Sequence, residues 1–352
     1  MNTITLTAII DAGSLNYDEG LSVISPLKKL NTGRGVRAYM SPQAFKYSLY
    51  TTCQELFNWR LSEVKLAGQG DKKTTQRVSS FIESEEVDLF GTMVTFAGGQ
   101  GYKREAVIRV TPSISTCNYL GDKELLTNMG LSYRIGENPN MATIENDRNL
   151  YKYSITIDYD RVGRGEYKVY LEEKEAKQLK NGGIIKEKEA ILIDLYKVMQ
   201  TKGFISLSEK EFLDIADTRV QEIKREVQKD NKAKAYVYAY EITLTEEEIK
   251  KRTNELLDGI YYLYRDIRSR REILSPVFCV GIKTDKRLPL FANVVEVIYK
   301  EDKPTINTKQ IEKFAEKEGL EIDKDYKMGG YSDHFINNFQ YMPKDVIEFL
   351  KV

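Results

Sequence analysis

The chain has 352 residues, and its 53 Lys and Arg balance its 53 Asp and Glu, so its formal net charge is zero. That balance excludes a protein that coats nucleic acid through bulk positive charge, and any nucleic-acid site must be a local basic patch. With 41% hydrophobic and 30% charged residues, no apolar run near the roughly 20 residues of a membrane span and no basic signal region at the start, we expect a soluble, cytoplasmic protein without a membrane partner.

The N-terminal segment has three features in chain order. Residues 3–12 alternate Thr with Ile and Leu, which predicts a half-buried strand. A polar loop with several glycines follows from Ser14 to Arg37. A helix should then begin at Ser41, because Ser is a favoured helix cap and Pro42 suits the first helical position.

Two strands and a long polar segment come next. The apolar patterns over 106–116 and 152–162 predict strands, and Pro112 marks an end or an edge of the first. Between them, residues 118–149 are rich in Asn, Gly and Met. A segment of this length inside a compact domain is usually functional or mobile.

The middle of the chain, residues 172–235, is expected to be mostly helical, and strands and helices follow it. The Lys- and Glu-rich region 172–235 carries apolar residues at helical spacing over 188–199 and 209–227, so its charges are expected to be solvated helix faces. The later predicted elements are a strand over 234–242, a helix over 244–267, strands over 275–283 and 292–300, and a helix over 307–319 before an irregular tail. This order predicts an α+β fold, a modified ferredoxin-like or RRM-like unit with large insertions.

The cysteines and the single histidine exclude several kinds of site. Cys53, Cys117 and Cys279 are scattered, which gives neither a metal-ligand spacing nor a disulfide framework. His334 is the one histidine and is expected on a surface loop, so a Ser-His-Asp or Cys-His mechanism is improbable. We therefore expect no metal site and no cofactor.

The loop and the start of the first helix form a candidate anion site. Gly33 and Gly35 allow the backbone to approach a ligand closely. Ser41 and Gln43 lie at a helix N-terminus, where free N–H groups favour phosphate. The basic residues of the segment are Lys28, Lys29, Arg34, Arg37 and Lys46. The same residues also fit a capped helix with ordinary surface charges, and the chemistry alone leaves both interpretations open.

The residue strings favour one family. Leu15-Asn16-x-Asp18 and Arg37-x-x-x-Ser41-x-Gln43-x-x-Lys46 resemble the backbone subunit of type I CRISPR effector complexes (Cascade), in particular the DevR-type, subtype I-B branch of the RAMP superfamily. Further similar strings are VDLFGTM (87–93), KREAVIRVTPSIS (103–115) and YSITIDYDRVG (153–163). The resemblance covers the first half of the chain and is topological beyond it.

The resemblance implies a hand-shaped, non-catalytic subunit. Its partners would be a guide crRNA, further copies of itself in a filament, other Cascade subunits and a target DNA strand, in antiviral defence or guided transposition. The implied regions are an RRM-like palm (1–59, 101–117 and 150–304), fingers (60–100), a thumb loop (118–149), and a C-terminal helix and tail (305–352).

The resemblance also implies the contact residues. RNA contact is assigned to Asn16, Asp18, Lys28, Arg34, Arg37, Ser41, Gln43, Lys46, Lys103 and Arg104, with one of the loops GQGDKK (68–73) or AGGQGYKR (97–104) near the nucleic acid. The thumb is expected to insert a side chain between bases, and the candidates are Met129, Tyr133, Arg134 and Met141, each of which fits ordinary packing equally well. The run Arg268, Arg270 and Arg271 either lines the groove or, as we prefer, compensates a helix dipole.

Two other functions remain as alternatives. The type III relatives of this family cleave RNA with a metal and an aspartate in the corresponding loop, where Asp18 is the candidate, although the string around it is typical of the non-cleaving branch. A DNA-binding transcription regulator ranks last, because the sequence shows no helix-turn-helix pattern and no net basic charge.

Overall fold

The computed structural model describes most of the chain as two compact units. The described residues are 2–18, 24–67, 73–95, 101–172, 196–197, 200, 207–216, 221–229, 233–301 and 303–352. The first unit comprises Met1–Leu56, Arg109–Ile157 and Leu256–Lys351, and the second comprises Phe57–Ile108, Asp158–Glu255 and Val352. Nearly all of the helix predicted over 188–199, and most of the loops 68–73 and 97–104, lie outside the described residues.

Strands outnumber helices among the described residues. The helices are α1 (Pro42–Phe57), α2 (Glu85–Phe90), α3 (Met129–Ser132), α4 (Glu209–Ile215), α5 (Glu246–Tyr261), α6 (Thr308–Lys317) and α7 (Pro343–Leu350). The strands of the first half are β1 (Thr3–Ala12), β2 (Ile24–Ser25), β3 (Lys29–Asn31), β4 (Val36–Met40), β5 (Val64–Ala67), β6 (Thr74–Arg77), β7 (Thr92–Thr95), β8 (Gly101–Arg104), β9 (Ile108–Val110), β10 (Ser113–Ser115), β11 (Lys123–Thr127), β12 (Met141–Glu145) and β13 (Asn149–Ile157). Those of the second half are β14 (Arg164–Glu172), β15 (Gln221–Lys229), β16 (Ala233–Thr243), β17 (Tyr264–Ile267), β18 (Arg270–Ile273), β19 (Phe278–Thr284), β20 (Val297–Lys300), β21 (Lys303–Ile306) and β22 (Tyr326–Gly330).

A large antiparallel sheet organises the first unit and makes the fold α+β. Its strand order is β22-β19-β1-β13-β10-β4-β3, and β9 also pairs with β13. β1 lies at the centre and pairs antiparallel with β13 on one side and with β19 on the other. The strand predicted over 3–12 and the helix predicted from Ser41 are confirmed.

Helices α1 and α7 cover one face of this sheet. Ala8 of β1 pairs with Tyr153, whose ring centroid lies 4.6 Å from that of Phe45 in α1. Leu6, two residues before Ala8 in β1, pairs with Gly281. Gly281 lies so close to α7 that an added Cβ would be 2.7 Å from Leu350 Cδ1. Only glycine leaves room for α7 at that position.

The opposite face is covered by the C-terminal region. Ile9 points away from α1, because successive side chains of a strand alternate between faces. It joins a buried cluster with Phe278 and Phe291 and with Ile311 of α6. Nearly all of β1 is therefore buried on both faces, including its threonines, whereas the sequence pattern predicted a half-buried strand. One of these, Thr7, shares a 2.9 Å hydrogen bond between its Oγ1 and Ser154 Oγ.

Three sequence predictions are wrong in the second half of the chain. The helix predicted over 209–227 ends at Ile215, and residues 221–229 form β15, which pairs with the long strand β16. The helix predicted to 267 ends at Tyr261, and β17 and β18 follow as a hairpin. The tail is not irregular, because β22 joins the large sheet and α7 packs on it. In the first two cases pairing within a β-hairpin overrides the local helical pattern, and in the third β22 gains its structure by pairing with β19 of the large sheet.

A buried charge cluster holds the second unit together. Asp88 of α2 is fully buried and accepts hydrogen bonds from Arg104 Nη2, from Arg252 Nη1 at 2.9 Å and from the Gly163 amide at 3.0 Å. Arg252 of α5 is also fully buried, and its Nε donates to Glu248 at 2.8 Å. Two buried guanidinium groups thus share the Asp88 carboxylate, and Glu248 is a second carboxylate partner for Arg252 alone.

We expect Asp88→Ala to destabilise the protein by about 3–5 kcal/mol, because it leaves Arg104 and Arg252 buried without their shared counter-charge. The matched control is Glu105→Ala in the same unit, since that carboxylate is exposed and pairs with Lys103 at 3.3 Å. The control should cost less than about 1 kcal/mol. Urea unfolding measures the free energy of unfolding of both variants. Equal losses of stability would show that the buried cluster contributes no more than an exposed ion pair.

Candidate nucleic-acid interface

Asn16 anchors the loop that follows β1. Its Nδ2 donates to Ser41 Oγ at 3.4 Å, and its backbone oxygen accepts the Lys28 amide at 2.8 Å. Ser41 Oγ in turn accepts the Ala44 amide at 3.2 Å, which confirms Ser41 as a cap of α1. Asn16 is itself buried. These contacts fix the loop against the first turn of the helix.

The predicted basic residues of the loop lie on or beside one β-hairpin, β3–β4. Arg34 is exposed at its turn, between Gly33 and Gly35, which adopt φ values of 74° and 127° that favour glycine. Arg37 is half-buried on β4, and its Nη1 donates to the Ser115 carbonyl at 2.9 Å. Lys28 is half-buried just before β3. Within the described residues, neither Lys28 nor Arg34 forms an ion pair, so their charges are not neutralised there.

The remaining predicted residues of this segment lie at its two ends. Asp18 is exposed, and its amide donates to the Pro26 carbonyl at 2.8 Å. Gln43 is exposed in the first turn of α1, and Lys46 is half-buried one turn later on the same side of the helix. Eight of the ten predicted RNA-contact residues therefore lie in the first unit.

The other two, Lys103 and Arg104, belong to the second unit. Lys103 is exposed, and its Nζ lies 3.3 Å from Glu105 Oε1. Arg104 is buried, and its donors are taken by Asp88 and by the carbonyls of Arg161 and Arg164. The sequence around Arg104 did not indicate that this side chain is buried, because the groups that accept its hydrogen bonds lie 16 to 60 positions away in the chain. Its guanidinium group is committed to the buried cluster.

A second hairpin, β11–β12, stands beside the loop. We call residues 118–149 the projecting hairpin. At its base, Glu145 Oε2 accepts Lys29 Nζ at 2.6 Å and the Leu27 amide at 2.8 Å. Lys29 Nζ also lies 4.7 Å from the ring centroid of Tyr119, and Thr143 of β12 pairs parallel with Ile24 of β2. The hairpin is thus attached to the same loop that carries the basic residues.

The outer part of the projecting hairpin exposes apolar side chains. All four wedge candidates are exposed, and Tyr133 is 72% exposed. The sequence analysis treated the segment as polar and missed further exposed residues, namely Leu120, Leu125, Leu126, Leu131 and Ile135. Their signal in the sequence is apolar residues without a helical or strand period that would bury them. Several large apolar side chains on one projecting element mark an interaction surface.

A third element, the β17–β18 hairpin, also contacts the loop. The helix-dipole explanation for Arg268, Arg270 and Arg271 is wrong, because α5 ends at Tyr261 and these arginines lie at the turn of this hairpin and on β18. Arg270 Nη2 donates to Tyr17 OH at 3.2 Å. No sequence pattern predicted that contact.

Neither a metal site nor a membrane span is found among the described residues. They contain no group of three or more His, Cys, Asp and Glu side chains that could hold a metal ion. Within the same residues, no helix has the length and apolar character needed to span a membrane.

The contacts of Glu145 predict how the stability of the protein depends on pH. Burial alone raises the pKa of Glu145, but the hydrogen bonds from Lys29 and Leu27 outweigh burial and lower it below the usual 4.5. A carboxylate with a lowered pKa in the folded state stabilises the fold above its unfolded pKa, and this contribution is lost as pH falls through the folded value. We expect Glu145→Gln to cost about 1–2 kcal/mol at neutral pH, and the difference from the parent should shrink below about pH 4.5.

Glu124→Gln is the matched control, because Glu124 is an exposed carboxylate on the facing strand β11. Its effect should stay within about 0.5 kcal/mol at every pH. The measurement is chemical unfolding over an acid-to-neutral pH series. A cost for Glu145→Gln that is the same at pH 3 and pH 7 would contradict the charged anchor.

Comparisons with known proteins support one family. A profile of the family described as "CRISPR-associated negative auto-regulator DevR/Csa2" matches residues 4–304. Among solved structures, a chain of a "CRISPR RNA-guided surveillance complex, pre-nicking" aligns with a TM-score of 0.50 at 10% identity, covering 99% of each chain. A chain of a "CRISPR RNA-guided surveillance complex" aligns with a TM-score of 0.47 at 11% identity, covering 98% of this chain and 97% of that one. No curated protein matches the chain.

At such low identity, the first of these structural alignments supports a shared fold alone. The family profile spans well over half of the chain and confirms the resemblance that the loop and helix strings indicated. The chain belongs to the DevR/Csa2 family of CRISPR-associated proteins.

Proposed function

We propose that the protein is a non-catalytic backbone subunit of a type I, I-B-like Cascade complex in the cytoplasm. It binds the sugar–phosphate backbone of a guide crRNA and lines up with further copies of itself along that guide. Together with the other subunits, the filament supports recognition of a target DNA strand, in antiviral defence or in guided transposition. Family membership supports this proposal.

The observation that carries the proposal is the joining of two elements in the first unit. A loop with Lys28 and Arg34, neither of which forms an ion pair with another described residue, is attached through Glu145 to a hairpin with exposed apolar side chains. The loop suits a phosphate backbone, and the apolar hairpin suits bases or a neighbouring copy. A chain with no net charge fits this role, because guide-directed systems hold the RNA backbone and leave sequence reading to base pairing.

The residue assignments follow from the contacts. Lys28, Arg34, Arg37, Gln43 and Lys46 contact the guide, and Ser41 presents the amide end of α1 to it. Asn16 and Asp18 shape the loop, Lys103 is a second contact point, and Arg104 is structural because its donors are engaged. The side chain that inserts between bases is one of Met129, Tyr133, Arg134 and Met141.

The hand-like division of the chain is part of the same proposal. The order β19-β1-β13-β10, with α1 and α5 in the connections, has the 4-1-3-2 arrangement of a ferredoxin-like or RRM-like palm. We assign the palm to 1–59, 101–117 and 150–304, the fingers to 60–100, and the thumb to the projecting hairpin. Residues 305–352 form the C-terminal part.

The first test removes the charges of Lys28 and Arg34 from the loop. We expect the double variant Lys28→Ala/Arg34→Ala to bind a labelled guide RNA more weakly, and the salt dependence of log K should flatten by about 1.4, or about 0.7 for each lost phosphate contact. The charge-matched control is Lys309→Ala/Lys313→Ala on α6, where both side chains are exposed. Equal salt slopes for the two double variants would place the guide elsewhere.

The second test removes the apolar tip. Tyr133→Ser/Met141→Ser should keep the parent's melting temperature, because both side chains are exposed, but should stop assembly into multimers on a long guide, measured by native mass spectrometry. The matched control is Leu288→Ser/Ile336→Ser, which changes two other exposed apolar residues of the same unit. Multimers that persist in the first variant would contradict the thumb assignment.

The metal-dependent alternative has its own signature. Cleavage of a complementary RNA at regular intervals with a divalent metal, abolished by Asp18→Ala, would contradict the non-catalytic assignment. We expect no cleavage from either the parent or this variant.

A further inference from the structure

The β17–β18 hairpin has two sides of different charge. On one side, Arg271 pairs with both oxygens of Asp266 at 2.8 and 2.7 Å, and its guanidinium group stacks over the ring of Tyr264 at 4.1 Å. The positive charge there is neutralised. On the other side lie Arg268 and Arg270, at the turn and at the start of β18. The hairpin therefore presents its net positive charge in one direction.

That direction is toward Tyr17 in the loop after β1. The guanidinium carbon of Arg268 lies 4.4 Å from the centroid of the Tyr17 ring, and Arg270 Nη2 donates to Tyr17 OH at 3.2 Å. Arg270 Nε is 3.8 Å from Glu272, at the edge of ion-pair distance, while Glu272 also accepts the Gly13 amide at 3.0 Å. In the part of the chain that the structure describes, Arg268 pairs with no carboxylate.

The hairpin is fixed to this loop by a third arginine. Arg265 Nε donates to the Leu15 carbonyl at 2.9 Å, and its Nη1 donates to Ser48 Oγ of α1 at 3.1 Å. On the other side of the loop, Tyr17 forms a β-bridge with Leu27, the residue before Lys28. The two arginines, Tyr17 and the basic loop thus follow one another within a single compact unit.

The turn itself adds a constraint. Arg268 and Ser269 both have positive φ values, 49° and 64°, as a two-residue type I′ turn requires. Asn-Gly suits that turn with less strain, so Arg268 occupies a position where its backbone is disfavoured. The guanidinium group of Arg268 stacks on Tyr17, which holds it in a defined position despite the disfavoured backbone conformation.

We propose that Tyr17, Arg268 and Arg270 form a further contact point for the RNA sugar–phosphate backbone, which extends the proposed guide-binding loop onto the β17–β18 hairpin; this rests on the proposed function. A guanidinium group matches two phosphate oxygens with parallel N–H donors. Tyr17 positions both groups, one through its ring and one through its hydroxyl. The ligand is a phosphodiester chain rather than a lone anion, because the positive groups continue along the loop to Lys28 and Arg34.

The test compares two sides of the same hairpin. For Arg268→Ala/Arg270→Ala, the salt slope of guide RNA binding should flatten by about 1.4, which corresponds to roughly 25-fold weaker binding at 0.1 M salt. Arg271→Ala is the matched control and should bind as the parent does, because its charge is already paired. The charge-conserving variant Arg268→Lys/Arg270→Lys should keep the parent's slope. Melting temperatures verify that the variants are folded.

The outcomes separate this proposal from the proposed function. If the parent binds guide RNA and Lys28→Ala/Arg34→Ala weakens it, but Arg268→Ala/Arg270→Ala matches the parent, the hairpin contact is wrong and the proposed function stands. If the hairpin variant keeps guide affinity and weakens only the binding of target DNA by the assembled complex, the contact is to DNA and the proposal is overturned. If the parent binds no guide RNA, both proposals fail.

Discussion

The central position of β1 is the constraint on which the candidate site depends. The strand is hydrogen bonded to β13 and β19 along its two edges and covered on both faces, by α1 and α7 on one and by the cluster around Phe291 on the other. Such a strand has little freedom to move. The loop that leaves it is then tied at Asn16 to the start of α1, so a rigid frame fixes where that loop begins and how it turns.

Three separate elements converge on this loop. The β3–β4 hairpin contributes basic residues, the projecting hairpin is attached through Glu145, and the β17–β18 hairpin is attached through Arg265. Each attachment uses a buried or half-buried polar side chain that bonds to the loop's backbone. The arrangement concentrates positive charge locally in a chain whose total charge is zero. A local concentration of positive charge suits the recognition of the phosphate backbone of single-stranded nucleic acid, and it does not give the whole protein surface an affinity for anions.

The sequence predicted elements whose signals are local. The strand over 3–12 and the cap at Ser41 follow from residues within a few positions of each other, and both are confirmed. β15 and the early end of α5 were missed, because pairing within the β15–β16 and β17–β18 hairpins overrides the local helical pattern there. Arg104 shows the same limit for function. It stands in a basic, polar string that looks exposed, but it is buried because its guanidinium group pairs with Asp88, a residue outside that string. Equally, nothing near Arg268 in the sequence indicates that Tyr17 is its neighbour.

The central claim is that the guide crosses the loop after β1 and the hairpins that adjoin it. Photo-crosslinking of the protein to a guide RNA that carries 4-thiouridine, followed by mass spectrometry of the linked peptides, tests this most directly. We expect crosslinks to peptides from residues 13–46, from the projecting hairpin and from the β17–β18 hairpin. Crosslinks confined to α6 and the surrounding C-terminal region, on the opposite face of the sheet, would contradict the account.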